Sequence, residues 1–118
     1  MTRLALALMM VAIAACSRGP LTPVPIDTAH DTCENCRMIV SDARFAAEIV
    51  APGEEPVFFD DIACLQTYQH AHPLPRGAVV FVVDHRTGGW IDAREAEYSR
   101  VSDATTPMGS RLVAEARR

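Results

Sequence analysis

The sequence predicts a small α+β domain, two strand-strand-helix units of ββαβ type packed as one body, with the second unit cut short. Three observations carry this expectation. Short β-branched and aromatic runs are separated by Pro/Gly turn signals. One such run leads into "DDIACLQTYQHAH", whose apolar positions Ile62, Leu65 and Tyr68 recur at helical spacing. The stretch "DARFAAEI" from Asp42 is echoed by "DAREAEYS" from Asp92, at a constant offset of 50.

The elements follow in order. Arg3 precedes an unbroken apolar run from Leu4 to Ala15. Residues 1–15 therefore read as a secretory signal, too short for a membrane span of about 20 residues. The run ends in Ile13-Ala14-Ala15-Cys16, which resembles a bacterial lipobox and makes Cys16 the lipidated first residue of the mature chain. Ser17, where inner-membrane retention signals carry Asp, favours the outer membrane. Residues 16–30 hold three prolines and little periodicity, and read as a tether. The domain proper is expected over 31–118. Residues 44–50 and 57–59 read as strands around a Pro52-Gly53 turn. The helix follows, with Asp60 as its N-cap, Asp61 in its first turn, and Pro73 and Pro75 beyond its end. "GAVVFVVDH", residues 77–85, reads as a buried central strand. Thr87-Gly88-Gly89 turns the chain into short strands at "WIDA" and "AEYSRV". "TTPMGSRLVAEARR" reads as a closing helix with Ser110 as N-cap; the offset of 50 sets Ser110 on Asp60 and Leu112 on Ile62.

Composition narrows the function. The 118 residues carry 11 basic and 15 acidic side chains and no lysine. There is no basic stripe, so nucleic acid is not an expected partner. A secreted chain meets oxidising conditions. Apart from Cys16 it has three cysteines, Cys33, Cys36 and Cys64, and an odd number does not suit a fully paired disulfide framework.

The chemistry concentrates in "CENCRM", residues 33–38. A c-type haem site needs His after the CxxC, and Arg37 stands there. Zinc sites have four ligands, commonly two such pairs, and only one is present. A thioredoxin-like motif opens a helix after a strand, whereas here a Pro-rich segment precedes and the strand-like "RMIV" follows. A plain Cys33–Cys36 disulfide stays open. In a strand, Cys36 and Met38 would point to one side. A thiolate beside a thioether suits a soft ion, above all Cu(I). Met108, in the turn "TTPMGS", is the candidate third sulfur. Met38 and Met108 are the only methionines outside the leader. Among other residues, Asp60-Asp61 suits capping better than acid–base work, Cys64 and Trp90 suit core packing, and His85 suits a loop. His30 can swing towards the CxxC.

"DTCENCRM", "RFAAEI", "FFDDIACL", "DHRTGGWIDA" and "TTPMGS" together, over about residues 31–115, resemble the NosL-like family of nitrous-oxide-reductase accessory lipoproteins. The resemblance implies a periplasm-facing Cu(I)-holding protein with two ββαβ units, similar to the alkylmercury-binding domain of organomercurial lyase. It implies copper transfer towards the reductase's assembly machinery, including an ABC-transporter complex. The family's Cys-x-Met falls on Cys36 and Met38, and its downstream methionine on Met108. Arg37 stands where the family often has glycine, and Cys33 is an extra cysteine that many relatives share and others lack, a further candidate copper ligand or a disulfide partner of Cys36. The expected function is a lipid-anchored, monomeric Cu(I) metallochaperone without substrate turnover. The alternative is a thiol–disulfide oxidoreductase using Cys33 and Cys36.

Overall fold

The computed structural model describes residues 19–118. The signal sequence, Cys16 and Ser17 lie outside the described residues. The fold is α+β, as expected, with antiparallel sheets and, among the described residues, a single α-helix.

Asp42 opens the domain's first regular segment. Its side chain accepts the backbone N–H of Arg44 and fixes a 3-10 turn, Ala43–Phe45. This local side-chain bond is the usual role of Asx residues at turn starts. Strand β1 (Ala47–Val50) follows and is buried along its whole length. It pairs antiparallel with β2 (Val57–Phe59) on one side and β3 (Val79–Val83) on the other. Strand β4 (Trp90–Asp92) completes a sheet ordered β2-β1-β3-β4, so "GAVVFVVDH" does supply an interior strand. Ala47, Ile49, Phe59, Val80 and Val82 join Ile62 and Leu65 of helix α1 (Ile62–Ala71) in the core. Phe59 is fully enclosed. Burying such a side chain contributes about 2–3 kcal/mol. Tyr68 closes over it, with ring centroids 5.1 Å apart.

The opposite sheet face carries Glu48, flanked by its cross-strand partners Phe58 and Phe81. The Pro-rich segment after Gly19 covers it. The backbone N–H of Val24 donates to Glu48 Oε1 at 2.6 Å, and Leu21 shares a recess with Phe81. The segment expected to be only a tether is thus a strap on the sheet. Glu48 Oε2 is buried with no hydrogen-bond partner, and burial pushes the Glu48 carboxyl up from 4.5 to about 7.

The second half repeats the Asp42 device. Asp92 accepts the N–H of Arg94 and sets a 3-10 turn, Ala93–Glu95. Strand β5 (Ala96–Arg100) follows. The closing segment is not a helix. It is strand β6 (Leu112–Ala116), paired along its length with β5. Leu112 N–H does bond Ser110 Oγ, the local contact of an N-cap, yet no helix grows from it. Nine residues make a marginal helix, whereas β5 offers an open ladder and Val113 favours a strand. Two buried carboxylates hold this half to the first. Asp61 takes Met108 N–H and Ser110 Oγ–H, and Asp84 takes Ala116 N–H.

Candidate metal centre

"CENCRM" does not form a strand. Thr32 and Ile39 make an antiparallel bridge, and the residues between them close as a turn. Cys33 N–H donates to Met38 O at 2.7 Å, and Arg37 N–H donates to Cys33 O at 2.9 Å. Arg37 sits at φ +66°, the left-handed region where glycine carries no penalty. The turn lies against β2, where Cys33 bridges Phe58 and Glu34 N–H donates to Phe58 O. The strand argument for Cys36 and Met38 is thereby replaced: the turn, not strand alternation, sets their directions.

The helix cap is one residue later than expected. Asp61 is the N-cap, accepting Ala63 N–H at 2.8 Å. Asp60 is therefore free of capping. It is buried, and the Cys36 thiol approaches both of its oxygens at 3.5 Å. Cys64, expected as packing, is buried on the first turn of α1 and joins them. One ligand atom each from Cys33, Cys36, Asp60 and Cys64 lie within 4.8 Å of one another. The sequence reading missed this pairing, because it took Asp60 as the helix cap and Cys64 as packing. All three thiols are free. Burial pushes the Cys36 thiol up, partly countered by the Met38 backbone N–H. Burial, then the neighbouring Cys33, pushes Cys64 up strongly.

The methionines lie outside this cluster. Met38 and Met108 are 46% and 47% exposed, so neither is a core residue. Met38, Asp60 and residues 105–107 line an open cleft of about 390 Å³. Met108 follows immediately, with its backbone N–H on Asp61 Oδ2 at 2.9 Å. The loop around it is rigidly closed: Gly109 N–H donates to Thr106 O and Arg111 N–H to Thr106 Oγ1. Sequence-distant Met38 and Met108 thus flank one helix N-terminus. A larger cleft, about 470 Å³, lies by Gln69, Leu74 and Val80 and contains no sulfur ligand.

The remaining candidates fall elsewhere. His30 is exposed and engages Asp27 Oδ2 at 2.8 Å, which raises its pKa. His85 sits in the β3–β4 loop and stacks near Phe45, with centroids 6.0 Å apart. Trp90 is half-buried against the core.

The NosL family model matches residues 23–118. The chain belongs to the NosL family. NosL proteins are copper-binding accessory proteins that work outside the cytoplasm, and a cluster of three cysteines and an aspartate is compatible with metal binding. The match begins inside the Pro-rich strap, so it takes in residues 23–30 of that segment. No curated protein and no solved structure matches the chain. Among the described residues, no helix is long and apolar enough to cross a membrane.

Proposed function

We propose that this NosL protein is a lipid-anchored Cu(I) metallochaperone. Cys36 supplies a thiolate, and Met38 and Met108 supply thioethers. The observation that carries this reading is the Asp61 contact. It fixes Met108 beside the helix start whose preceding residue, Asp60, faces Cys36, while Met38 lines the same cleft. Two exposed thioethers and one thiol form a soft, low-charge donor set suited to Cu(I). The open cleft lets an acceptor replace one thioether at a time, so copper leaves by ligand exchange. Because the thiolate is the ligand, loading releases a proton and apparent affinity rises with pH.

Cys16 carries the lipid and holds the domain at the periplasmic side of the outer membrane. The monomer passes copper to the nitrous oxide reductase assembly machinery, an ABC-transporter complex included, or to another extracytoplasmic copper enzyme. The oxidoreductase alternative is disfavoured on physical grounds. A thioredoxin-like CxxC opens a helix, whereas Cys33 and Cys36 lie in a turn closed between Thr32 and Ile39.

The test is Cu(I) titration under reducing conditions against a Cu(I)-specific chelator. Cys36→Ser, Met38→Leu and Met108→Leu are each expected to weaken binding, Cys36→Ser the most. Unchanged affinity in Cys36→Ser together with Met38→Leu defeats the assignment.

A further inference from the structure

The proposed copper ligands use one of the three thiols. Cys33 and Cys64 are both buried, at 0% and 3% exposure, and have no part in the outer Cys36–Met38–Met108 set. Apolar packing alone does not account for their surroundings. A buried carboxylate, Asp60, faces the same point from the chain just before α1. The four ligand atoms come from two independent segments: the 33–36 turn, and the stretch from Asp60 into the first turn of α1.

We infer that Cys33, Cys36, Cys64 and Asp60 form a second, inner site for a thiophilic divalent cation of the zinc class. Tetrahedral zinc with Zn–S bonds of about 2.3 Å sets its sulfurs about 3.8 Å apart. The four donors already lie within 4.8 Å of one another, and Cys36 sits 3.5 Å from both Asp60 oxygens. Small side-chain shifts close the remaining gap. Asp60 decides the class of ion. A carboxylate is a hard donor that zinc accepts readily and Cu(I) does not seek. Charge points the same way. Three thiolates and a carboxylate around a monovalent ion leave three buried negative charges, and a divalent ion leaves two. On loading, each thiol loses its proton to solvent, and no redox step is involved.

The inner site rests on the proposed function only in the sharing of Cys36. That sharing makes the two ions competitors: a divalent ion in the inner site takes the thiolate that copper needs.

Co²⁺ is the probe, added to the reduced full-length protein, because tetrahedral thiolate ligation gives intense charge-transfer absorption. The expected result is a thiolate–Co²⁺ spectrum that Cu(I) bleaches. Cys64→Ser should lower Co²⁺ affinity about tenfold or more while leaving Cu(I) affinity unchanged. Met38→Leu and Met108→Leu should do the reverse. Asp60→Asn, which keeps the shape of the side chain, carries the Co²⁺ test if Cys64→Ser does not fold. Absence of thiolate absorption in the wild type overturns the inner site, as does its persistence in both Cys64→Ser and Asp60→Asn. Loss of Cu(I) affinity in folded Cys64→Ser shows copper itself using the inner thiols and overturns the division. A native mass spectrum with both ions on one chain overturns the competition. Unchanged Cu(I) affinity in both methionine variants defeats the copper reading and leaves the Co²⁺ result standing.

Discussion

The two Asp-Ala-Arg copies begin identically and end differently. Asp42 and Asp92 each cap a 3-10 turn through the N–H of the Arg two residues on, and each pairs with that guanidinium, at 2.7 and 2.6 Å. After Asp42 the chain becomes a wholly buried interior strand, then β2 and a helix. After Asp92 it becomes β5, exposed beyond its first residue, then a loop and a second strand. Position 48 is a sealed carboxylate, and its counterpart fifty residues on is Tyr98, 40% exposed. Position 60 is a carboxylate facing thiols, and its counterpart, Ser110, donates to Asp61. The same local code therefore starts both units, and the partners available at the far end decide what they become. The first unit supplies Asp60 and Cys64 to the sulfur cluster, which the preceding 33–36 turn completes. The second delivers a methionine to its rim.

Five substitutions would break or sharpen this contrast. The largest effect is expected at Asp61, the bolt between the halves. Asp61→Ala removes the helix cap and strands Met108 N–H and Ser110 Oγ, at a cost of about 3–5 kcal/mol in urea denaturation. Cu(I) affinity should fall with it; a loss below about 1 kcal/mol would show the halves cohere without the bolt.

Glu48 comes next, because only the first unit buries an acid on its strand. The folded carboxyl titrates near 7 against an ordinary 4.5. Below 4.5 both states are protonated and no penalty exists. Between 4.5 and about 7 the unfolded chain loses its proton first, so stability falls as pH rises, by about 3 kcal/mol across that window. Glu48→Gln should flatten this slope in denaturation curves taken from pH 4 to 8. An identical slope in the variant would assign the effect to other groups.

Asp42→Ala and Asp92→Ala test whether the two turns are one device. Each should cost about 1 kcal/mol in thermal or urea unfolding. A difference well beyond that would mean that the two caps are unequal. The smallest change is Arg37→Gly. Relief of the left-handed residue should stabilise the protein by about 0.5–1 kcal/mol without altering its circular dichroism. Destabilisation would show that the Arg37–Glu34 pair, at 3.3 Å, outweighs the backbone cost.

Much of the fold was legible because its signals are local. The Asp42 and Asp92 echo, the Pro52-Gly53 turn, the valine run of β3 and the helix at Ile62 all depend on neighbours within a few residues. The closing strand was not legible. Ser110 makes an N-cap's own bond to Leu112 N–H, and only the distant β5 edge and Asp84 turn that segment into a strand. At the site, the sulfurs of Cys36, Met38 and Met108 were visible, Met108 in its turn, but the 33–38 segment read as a strand and folds as a turn closed by Cys33 N–H on Met38 O. The roles of Asp60 and Cys64 were hidden by a one-residue shift in the cap, which frees one aspartate of an adjacent pair and commits the other. Arg37 reads as an ordinary charge, and its positive φ appears only once Cys33 N–H closes on Met38 O.

The strap over Glu48 fixes a posture as well as a face. Gly19 and Leu21 share a recess with Gly77 and Val79, at the start of β3 beyond the C-terminal end of α1. The sulfur ligands gather at the other end of that helix, about 15 Å away along its axis. With Cys16 as the proposed anchor, three residues of chain reach the strap, a leash of about 10 Å at full stretch. So short a leash would limit how far the domain could tumble above a bilayer. With that anchor in place, the helix's trailing end would stay near the bilayer and the sulfur-bearing end would point away from it.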